Sequence, residues 1–393
     1  MEKNGLKRLC FVTSTRADWG LLMPLAKALR GMEGIELQIV ATNMHLMPEM
    51  GMTVNEIEAA GFTVDCRVAC AVEGDDPASR AMVMAKCMAG MSEAFTALQP
   101  DAVVLLGDRY EMLAVASAAA VMCLPIIHIA GGEISEGALD DSFRHAITKL
   151  SSLHLTATEA YRKRVIQLGE DPSTVVNTGA IGVWNAFNTP LLSNDALAKD
   201  LDIDFTEPVA VVTYHPATND AEQSPLEQLE EMLTALDRFP ALQLVITAPN
   251  NDAGGLALLN RLEDYAAKNS RRVRLVRSLG MVRYQSLLHY ADVVIGNSSS
   301  GIVEAPSAGI PTVDIGIRQR GRIAAPSVIH CPSDNLAITD AIARALSPEM
   351  RELAAKKENP YYKPDTLRLM TDAVLSFLDT LPRSPKKFYD INQ

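Results

Sequence analysis

Short apolar runs that read as strands alternate with helical segments along almost the whole chain, and that alternation allows few architectures. Repeated strand–helix–strand units close into doubly wound parallel sheets, not into a sandwich or a helical bundle. Strands are expected at Arg8 to Thr13, Leu37 to Thr42, Thr63 to Val68, Ala102 to Leu106, Pro125 to Ile129, Leu153 to Ala157 and Val175 to Asn177. A polar stretch without periodicity, Asn188 to Pro208, then interrupts the series. A second series follows at Val209 to Tyr214, Leu242 to Thr247, Val273 to Val276, Val293 to Ile295, Thr312 to Ile315 and Val328 to His330. The 393 residues thus predict two α/β domains, 1–187 and 188–365, each large enough for its own core. A last helix, Thr366 to Leu381, follows the connector Pro360-Tyr361-Tyr362-Lys363-Pro364, and the tail 366–393 is expected to pack back on the first domain. Ligands of parallel sheets sit at the carboxyl ends of the strands, so two facing domains of this kind imply a cleft between them.

Charge narrows the partners. The formal net charge is -12 with no basic run, which argues against nucleic acid and leaves any anionic ligand to a few local arginines. Six cysteines (Cys10, Cys66, Cys70, Cys87, Cys123, Cys331) lack Cys-x-x-Cys spacing and read as buried thiols of a reducing cytoplasm. Neither a metal constellation nor a cofactor motif is present, and the chain carries no signal-peptide pattern, its first apolar run, Leu9 to Val12, being strand-sized. The uncharged stretch Leu113 to Ile129 is split by Pro125 into a helix and a strand, so no membrane span is expected.

The densest chemistry lies between Gly296 and Arg322. Gly296-Asn297-Ser298-Ser299-Ser300-Gly301 follows a strand, with a helix expected near Gly301. Helix-start N–H groups and the hydroxyls of Ser298 and Ser299 suit phosphate oxygens, Glu304 suits two ribose hydroxyls, and Arg318 offers a planar fork to a diphosphate. An ordinary strand-to-helix turn is the plainer reading of the same loop.

Other strand-end loops add candidates. Arg16 is a second phosphate ligand, with Asp18 either beside it or capping the helix. His45 either meets a sugar or fills its loop. Gly107-Asp108-Arg109 ends one strand, and the acidic loop Glu133 to Asp141 follows the next, with strand ends roughly 5 Å apart. Carboxylates crowded there favour acid/base work by Asp108, Glu133 and Asp140, unless Asp140 or Asp141 simply caps the helix that follows. His145 reads as a buried helical histidine or a site residue. Pro216 keeps His215 out of helical geometry, so its ring can bind a phosphate or give a proton to a leaving group. Asn250, in Pro249-Asn250-Asn251-Asp252, is a further ligand contact, as is Arg109.

Taken together, Ser-Thr-Arg-Ala-Asp-Trp-Gly, Gly-Asp-Arg-Tyr-Glu, Gly-Gly-Glu with Asp-Asp-Ser-Phe-Arg-His-Ala-Ile-Thr-Lys, Gly-Asn-Ser-Ser-Ser-Gly and Gly-Ile-Arg-Gln-Arg-Gly-Arg resemble the hydrolysing UDP-N-acetylglucosamine 2-epimerases of sialic and related nonulosonic acid biosynthesis. The resemblance runs in order from about residue 8 to about residue 330. It implies a glycosyltransferase-B-like pair of Rossmann-like domains with UDP held mainly by the second. It also implies a cytoplasmic enzyme that needs no metal or cofactor, expected as a homodimer or homotetramer. The family's aspartates map to Asp108 and Asp140. Its glutamate sits before Gly-Gly in some members, where this chain has Ala130, so Glu133 is the nominee. Arg16, Ser298, Ser299, Glu304 and Arg318 match nucleotide positions, and His215 the histidine position.

The implied reaction turns UDP-N-acetylglucosamine into UDP and free N-acetylmannosamine through a glycal. Ala130 opens a second substrate, a UDP-2,4-diacetamido-trideoxyhexose. A non-hydrolysing epimerase typically carries a lysine soon after the first-loop arginine, which is absent here. A transferase of the same fold, or a UDP-sugar-binding regulator without turnover, would also fit these motifs.

Overall fold

The computed structural model describes residues 6–391 apart from 75, 218, 221, 251 and 382–385. The chain divides into two compact units. The first holds the chain up to Glu133, Asp140–Ile181 and everything from Lys363; the second holds Ile134–Leu139 and Gly182–Tyr362. The crossing at residue 182 precedes the expected 188, because the helix Ile181–Asn188 already starts the second unit. The excursion of Ile134–Leu139 is not visible in the alternation of elements.

The first unit is built on seven parallel strands: β1 Lys7–Thr13, β2 Ile35–Thr42, β3 Cys66–Val68, β4 Ala102–Leu106, β5 Ile126–Ile129, β6 Leu153–Thr156 and β7 Val175–Asn177. Their order is β3-β2-β1-β4-β5-β6-β7. Chain order reverses between β1 and β4, where Leu9 pairs with Ala102 and Phe11 with Val104. Strands buried on both faces explain the unbroken apolar runs. On one face Cys10, Val12, Val103 and Leu105 pack with residues of the helices Pro77–Leu98 and Tyr110–Val121, including Met91, Phe95 and Val115.

The second unit repeats the plan with six parallel strands: β8 Val209–Thr213, β9 Gln243–Thr247, β10 Val273–Val276, β11 Val293–Gly296, β12 Thr312–Ile315 and β13 Val328–Cys331, in the order β10-β9-β8-β11-β12-β13. Here the reversal falls between β8 and β11. Successive residues of β8 serve opposite cores: Val209 and Val211 join Leu197, Leu287 and Ile310, whereas Ala210 and Val212 join Leu229, Met232 and Leu262. Each large aliphatic side chain among them contributes roughly 1.5–3 kcal/mol on burial. Gly296, at φ 136, closes β11 so near β8 that a Cβ would lie 1.9 Å from the Thr213 carbonyl oxygen. No other residue fits there.

The last helix, Thr366–Asp379, lies against Arg16–Leu29 in the first unit. It stops at Asp379, two residues short of the expected Leu381, and the described residues after 385 run without helix. Residues 382–385 and 392–393 of that tail lie outside the described residues. Lys386 Nζ donates to the Lys149 and Ser151 carbonyls and to both oxygens of the buried Glu170, at 2.5–3.0 Å. His154 and Lys149 reach the same carboxylate. Burial alone would raise the Glu170 carboxyl, but those hydrogen bonds outweigh it and bring it down to about 2.

A depressed carboxyl contributes stability that is complete above its unfolded value and is lost as pH falls through its folded one. The stability gap between wild type and Lys386→Met is therefore expected to be full at pH 7 and to shrink from about pH 4.5 towards 2. Denaturant titrations across that range measure it. A gap that stays constant would detach the tail from Glu170.

All six cysteines are free thiols, but only Cys10, Cys70 and Cys87 are buried; Cys123 is exposed and Cys66 and Cys331 are half-buried, which corrects the expectation of six buried thiols. Among the described residues no helix is long and apolar enough to cross a membrane, and no group of side chains could hold a metal ion.

Candidate functional site

Both reversal points carry the chemistry-bearing loops, as open parallel sheets dictate. In the first unit, the loop after β1 is ordered around Asp18. Its carboxylate accepts from the backbone N–H groups of Ser14, Thr15 and Trp19 and from the hydroxyls of Thr13, Ser14 and Thr15, at 2.7–3.1 Å. That is a capping box saturated by its own loop. Asp18 therefore caps the helix and shapes the loop that presents Arg16. Arg16 starts the helix with its side chain one-quarter exposed, 3.6 Å from Glu56.

His45 is corrected. It is fully buried in a short 3-10 turn, with Nε2 on Thr13 Oγ1 at 2.9 Å and Nδ1 on Thr53 Oγ1 at 2.8 Å. Burial pushes it below the ordinary histidine range, so it is a neutral strut under the β1 loop.

Across the reversal point, β4 ends in Gly107-Asp108-Arg109. Asp108 is ion-paired to Arg144, a guanidinium with no exposed surface on the helix Asp140–Leu150. Arg144 also donates to the Glu133 carbonyl at 3.0 Å and to Asp141 Oδ1 at 3.2 Å. Asp108, the Glu133 backbone and the helix start at Asp140 are thereby gathered on one cation. The carboxylates expected to crowd one another here are not bare: a buried guanidinium stands among them.

Glu133 is buried and Asp140 half-buried at the first position of the helix. Arg109 turns away from Asp108, its Nε on the buried Glu111 at 2.7 Å. His145 lies half-buried 3.6 Å from Asp141, pushed by burial below its ordinary value.

Two residues of this site escape a reading by motif. Arg144 is legible in principle, since it shares a helix face with the buried Ile147 and Thr148. His128 is not, because it lies inside β5. Its Nε2 donates to the Gly107 carbonyl at 2.8 Å, bracing the Asp108 loop, and burial pushes it down to about 3, hence neutral. Ala130, just after β5, adopts φ 66, a conformation that costs a non-glycine residue about 1–2 kcal/mol and concentrates at functional loops.

In the second unit, β8 runs into Tyr214-His215-Pro216 and β11 into Asn297. The backbone N–H of Asn250 donates to His215 Nδ1 at 3.0 Å, so the ring proton sits on Nε2. His215 is thus set up as a hydrogen-bond donor through Nε2. Asn250 Nδ2 donates to Asp252, while its Oδ1 is buried without a hydrogen-bond partner among the described residues. Asn251 lies outside the described residues.

Ser298 caps a helix that begins at Ser299, earlier than expected, and spans only Ser299–Val303. Five residues carry little dipole, so the helix start alone makes a weak anion receptor. Glu304 ends that helix. Its Oε2 accepts from Ser300 Oγ at 3.0 Å and Gln285 Nε2 at 3.2 Å, while Tyr284 donates to Ser300 Oγ at 2.6 Å. Burial pushes the Glu304 carboxyl up against those two hydrogen bonds. A Cβ at residue 182 would come within 2.6 Å of Glu304 Oε1, which reserves that position for Gly182.

Arg318 and Gln319 follow β12 and both donate to the Asn297 carbonyl, at 3.2 and 2.8 Å. Against this loop rests the excursion Ile134–Leu139. Glu136 N–H donates to the Arg320 carbonyl at 3.1 Å, and a Cβ on Gly137 would lie 2.5 Å from the Ile317 carbonyl oxygen.

A family profile described as UDP-N-acetylglucosamine 2-epimerase matches residues 27–375. The GDP/UDP-N,N'-diacetylbacillosamine 2-epimerase (hydrolyzing) of Campylobacter jejuni is 38% identical over 330 residues, covering 84% of this chain and 85% of that one. Polysialic acid biosynthesis protein P7 of Escherichia coli is 34% identical over 386 residues, 98% of each chain. Among solved structures, UDP-GlcNAc 2-epimerase from Neisseria meningitidis bound to UDP-GlcNAc superposes with a TM-score of 0.79 at 18% identity, over 94% of this chain and 100% of that one, which shows a shared glycosyltransferase-B-like fold.

Proposed function

We propose, for a chain that belongs to the UDP-N-acetylglucosamine 2-epimerase family, that it is a hydrolysing 2-epimerase releasing UDP and a free manno-configured 2-acetamido sugar. The observation that carries this reading is the 38% identity, over most of both chains, to an enzyme named as hydrolysing. The same relative favours UDP-N,N'-diacetylbacillosamine, a 2,4-diacetamido-trideoxyglucose, as substrate. The family profile, described as UDP-N-acetylglucosamine 2-epimerase, supports UDP-N-acetylglucosamine as the second reading.

In this reading Asp108 takes the C2 proton. The ion pair with Arg144 holds its carboxylate in place for that role. The C2–H electron pair forms the C1–C2 double bond as the C1–O bond breaks, its electrons leaving on UDP. Arg318, Arg16, His215 Nε2 and the Ser298 and Ser299 hydroxyls receive the diphosphate. Glu304 accepts the ribose hydroxyls. Glu133 or Asp140 gives a proton to the opposite face of C2 as water bonds through oxygen to C1, and the proton that this water sheds restores the acid; Asp108 returns the C2 proton to solvent. The sum is UDP-sugar plus water to UDP plus free sugar.

Incubation in D2O with each UDP-sugar, without acceptor or added metal, is expected to give UDP and a C2-inverted free sugar carrying deuterium at C2, read by mass spectrometry and NMR. Turnover of the diacetamido sugar over UDP-N-acetylglucosamine would select the first substrate. An unlabelled, gluco-configured product would mean plain hydrolysis, and accumulation of the UDP-manno sugar a reversible epimerase; either sinks the proposal.

Glu304→Ala and Arg318→Ala are each expected to weaken UDP binding by roughly 1.5–3 kcal/mol, the range of charge-assisted hydrogen bonds. Calorimetry with UDP alone measures this directly. Unchanged affinity in both variants would place the nucleotide elsewhere.

A further inference from the structure

Asn297 has essentially no exposed surface, yet every polar atom it owns is committed. Its Oδ1 accepts from the His215 N–H at 2.7 Å and its Nδ2 donates to the His215 carbonyl at 2.8 Å. Since both partners are backbone groups, the orientation of the amide is fixed. Its own N–H donates to the Thr213 carbonyl at 3.1 Å, and its carbonyl collects Gln319 Nε2 and Arg318 Nη1. One residue therefore holds two loops that leave different strands, β8 and β12, at the reversal point of the sheet. Asn250 completes the arrangement by donating to Nδ1, which places the ring proton on Nε2.

We propose that Asn297 is the positioning residue of the leaving-group site, its side chain fixing the backbone of His215 while its carbonyl orients Arg318, so that two diphosphate donors are set in register by one amide-bearing residue. This rests on the reading that His215 and Arg318 receive the diphosphate. The chemistry favours asparagine over its neighbours. Aspartate supplies the acceptor for the His215 N–H but sets a carboxylate against the His215 carbonyl. Serine or alanine cannot span both groups. A charge-assisted contact to Arg318 passes through a peptide carbonyl, which no side-chain change at 297 removes directly; any loss there comes from movement of the backbone.

The test is a double-mutant cycle. Asn297→Ala and Asn297→Asp are made alone and in His215→Ala and Arg318→Ala backgrounds, with UDP affinity by calorimetry, kcat and KM from UDP release, and thermal melts to check folding. Each Asn297 variant alone is expected to lower kcat about tenfold or more, with a smaller rise in KM, because the misplaced donors matter most as charge develops on the leaving oxygen. In the His215→Ala background the further loss is expected to shrink to within about twofold.

Nitrogen-15 NMR of labelled imidazoles supplies a readout independent of activity. Wild type is expected to show His215 as a single Nε2–H tautomer, and Asn297→Asp a tautomer mixture. Full additivity in both cycles, or an unchanged His215 signal with wild-type kcat in Asn297→Asp, overturns the proposal. If His215→Ala and Arg318→Ala themselves leave UDP binding and kcat untouched, the diphosphate reading has failed instead, and the two failures are distinguished within one set of proteins.

Discussion

Asp108→Asn is expected to lose about a hundredfold or more in turnover, the usual worth of a positioned acid or base, while binding UDP as wild type does. The substitution keeps the shape of the side chain and removes its basicity. Arg144 retains the Glu133 carbonyl and Asp141 as partners, so the variant should fold, with a melting temperature close to wild type as the check. Turnover near the wild-type value would take Asp108 out of the chemistry. A large loss of UDP affinity would show that the substitution has disturbed more than a base.

Removing the cation is expected to be worse. Arg144→Met leaves Asp108 and Asp141 beside a buried site without its guanidinium and strips the Glu133 carbonyl of a donor. Breaking such a pair from one side typically costs about 3–5 kcal/mol. Chemical denaturation should show that loss, and residual turnover should fall at least as far as in Asp108→Asn, because the base loses both its position and its charge partner. Arg144→Lys keeps the charge but not the planar fork, and an intermediate loss is expected from it. A stable, active Arg144→Met protein would reduce this contact to an incidental ion pair.

The strands are legible in the sequence because β-branched runs buried on both faces have no other comfortable home, and each is followed by a turn signal. Val175–Asn177 and Val273–Val276 are short, yet their flanks mark them. Loop roles are less legible, because a polar side chain at a strand end has the same letters whether it faces a ligand or its own backbone. Asp18 and His45 turn inward; their loops offer enough N–H and hydroxyl partners to saturate them. Asn250 likewise acts through its N–H, and backbone groups leave no trace in composition. Arg144 is hidden by its charge, since a basic residue on an apolar helix face reads as an interruption until its partners are in view. Boundaries move for a similar reason: helix periodicity says nothing about which core a helix joins, so continuity alone misassigns the helix at 181 and the loop at 134.

That loop bears on how the protein can be recombined. Ile134–Leu139 belongs to the second unit, with Gly137 fitted against the Ile317 and Arg318 backbone and Asn219 bonded to the carbonyls of Glu136 and Gly137. A hybrid made by exchanging 182–362 alone would keep six residues, 134–139, from the wrong parent and seat them on a foreign loop. Exchange of 182–362 together with 134–139 should give soluble, foldable hybrids, whereas exchange of 182–362 alone should not. The unit of inheritance in this protein is therefore discontinuous in the gene, and the short insert between Glu133 and Asp140 travels with residues 182–362.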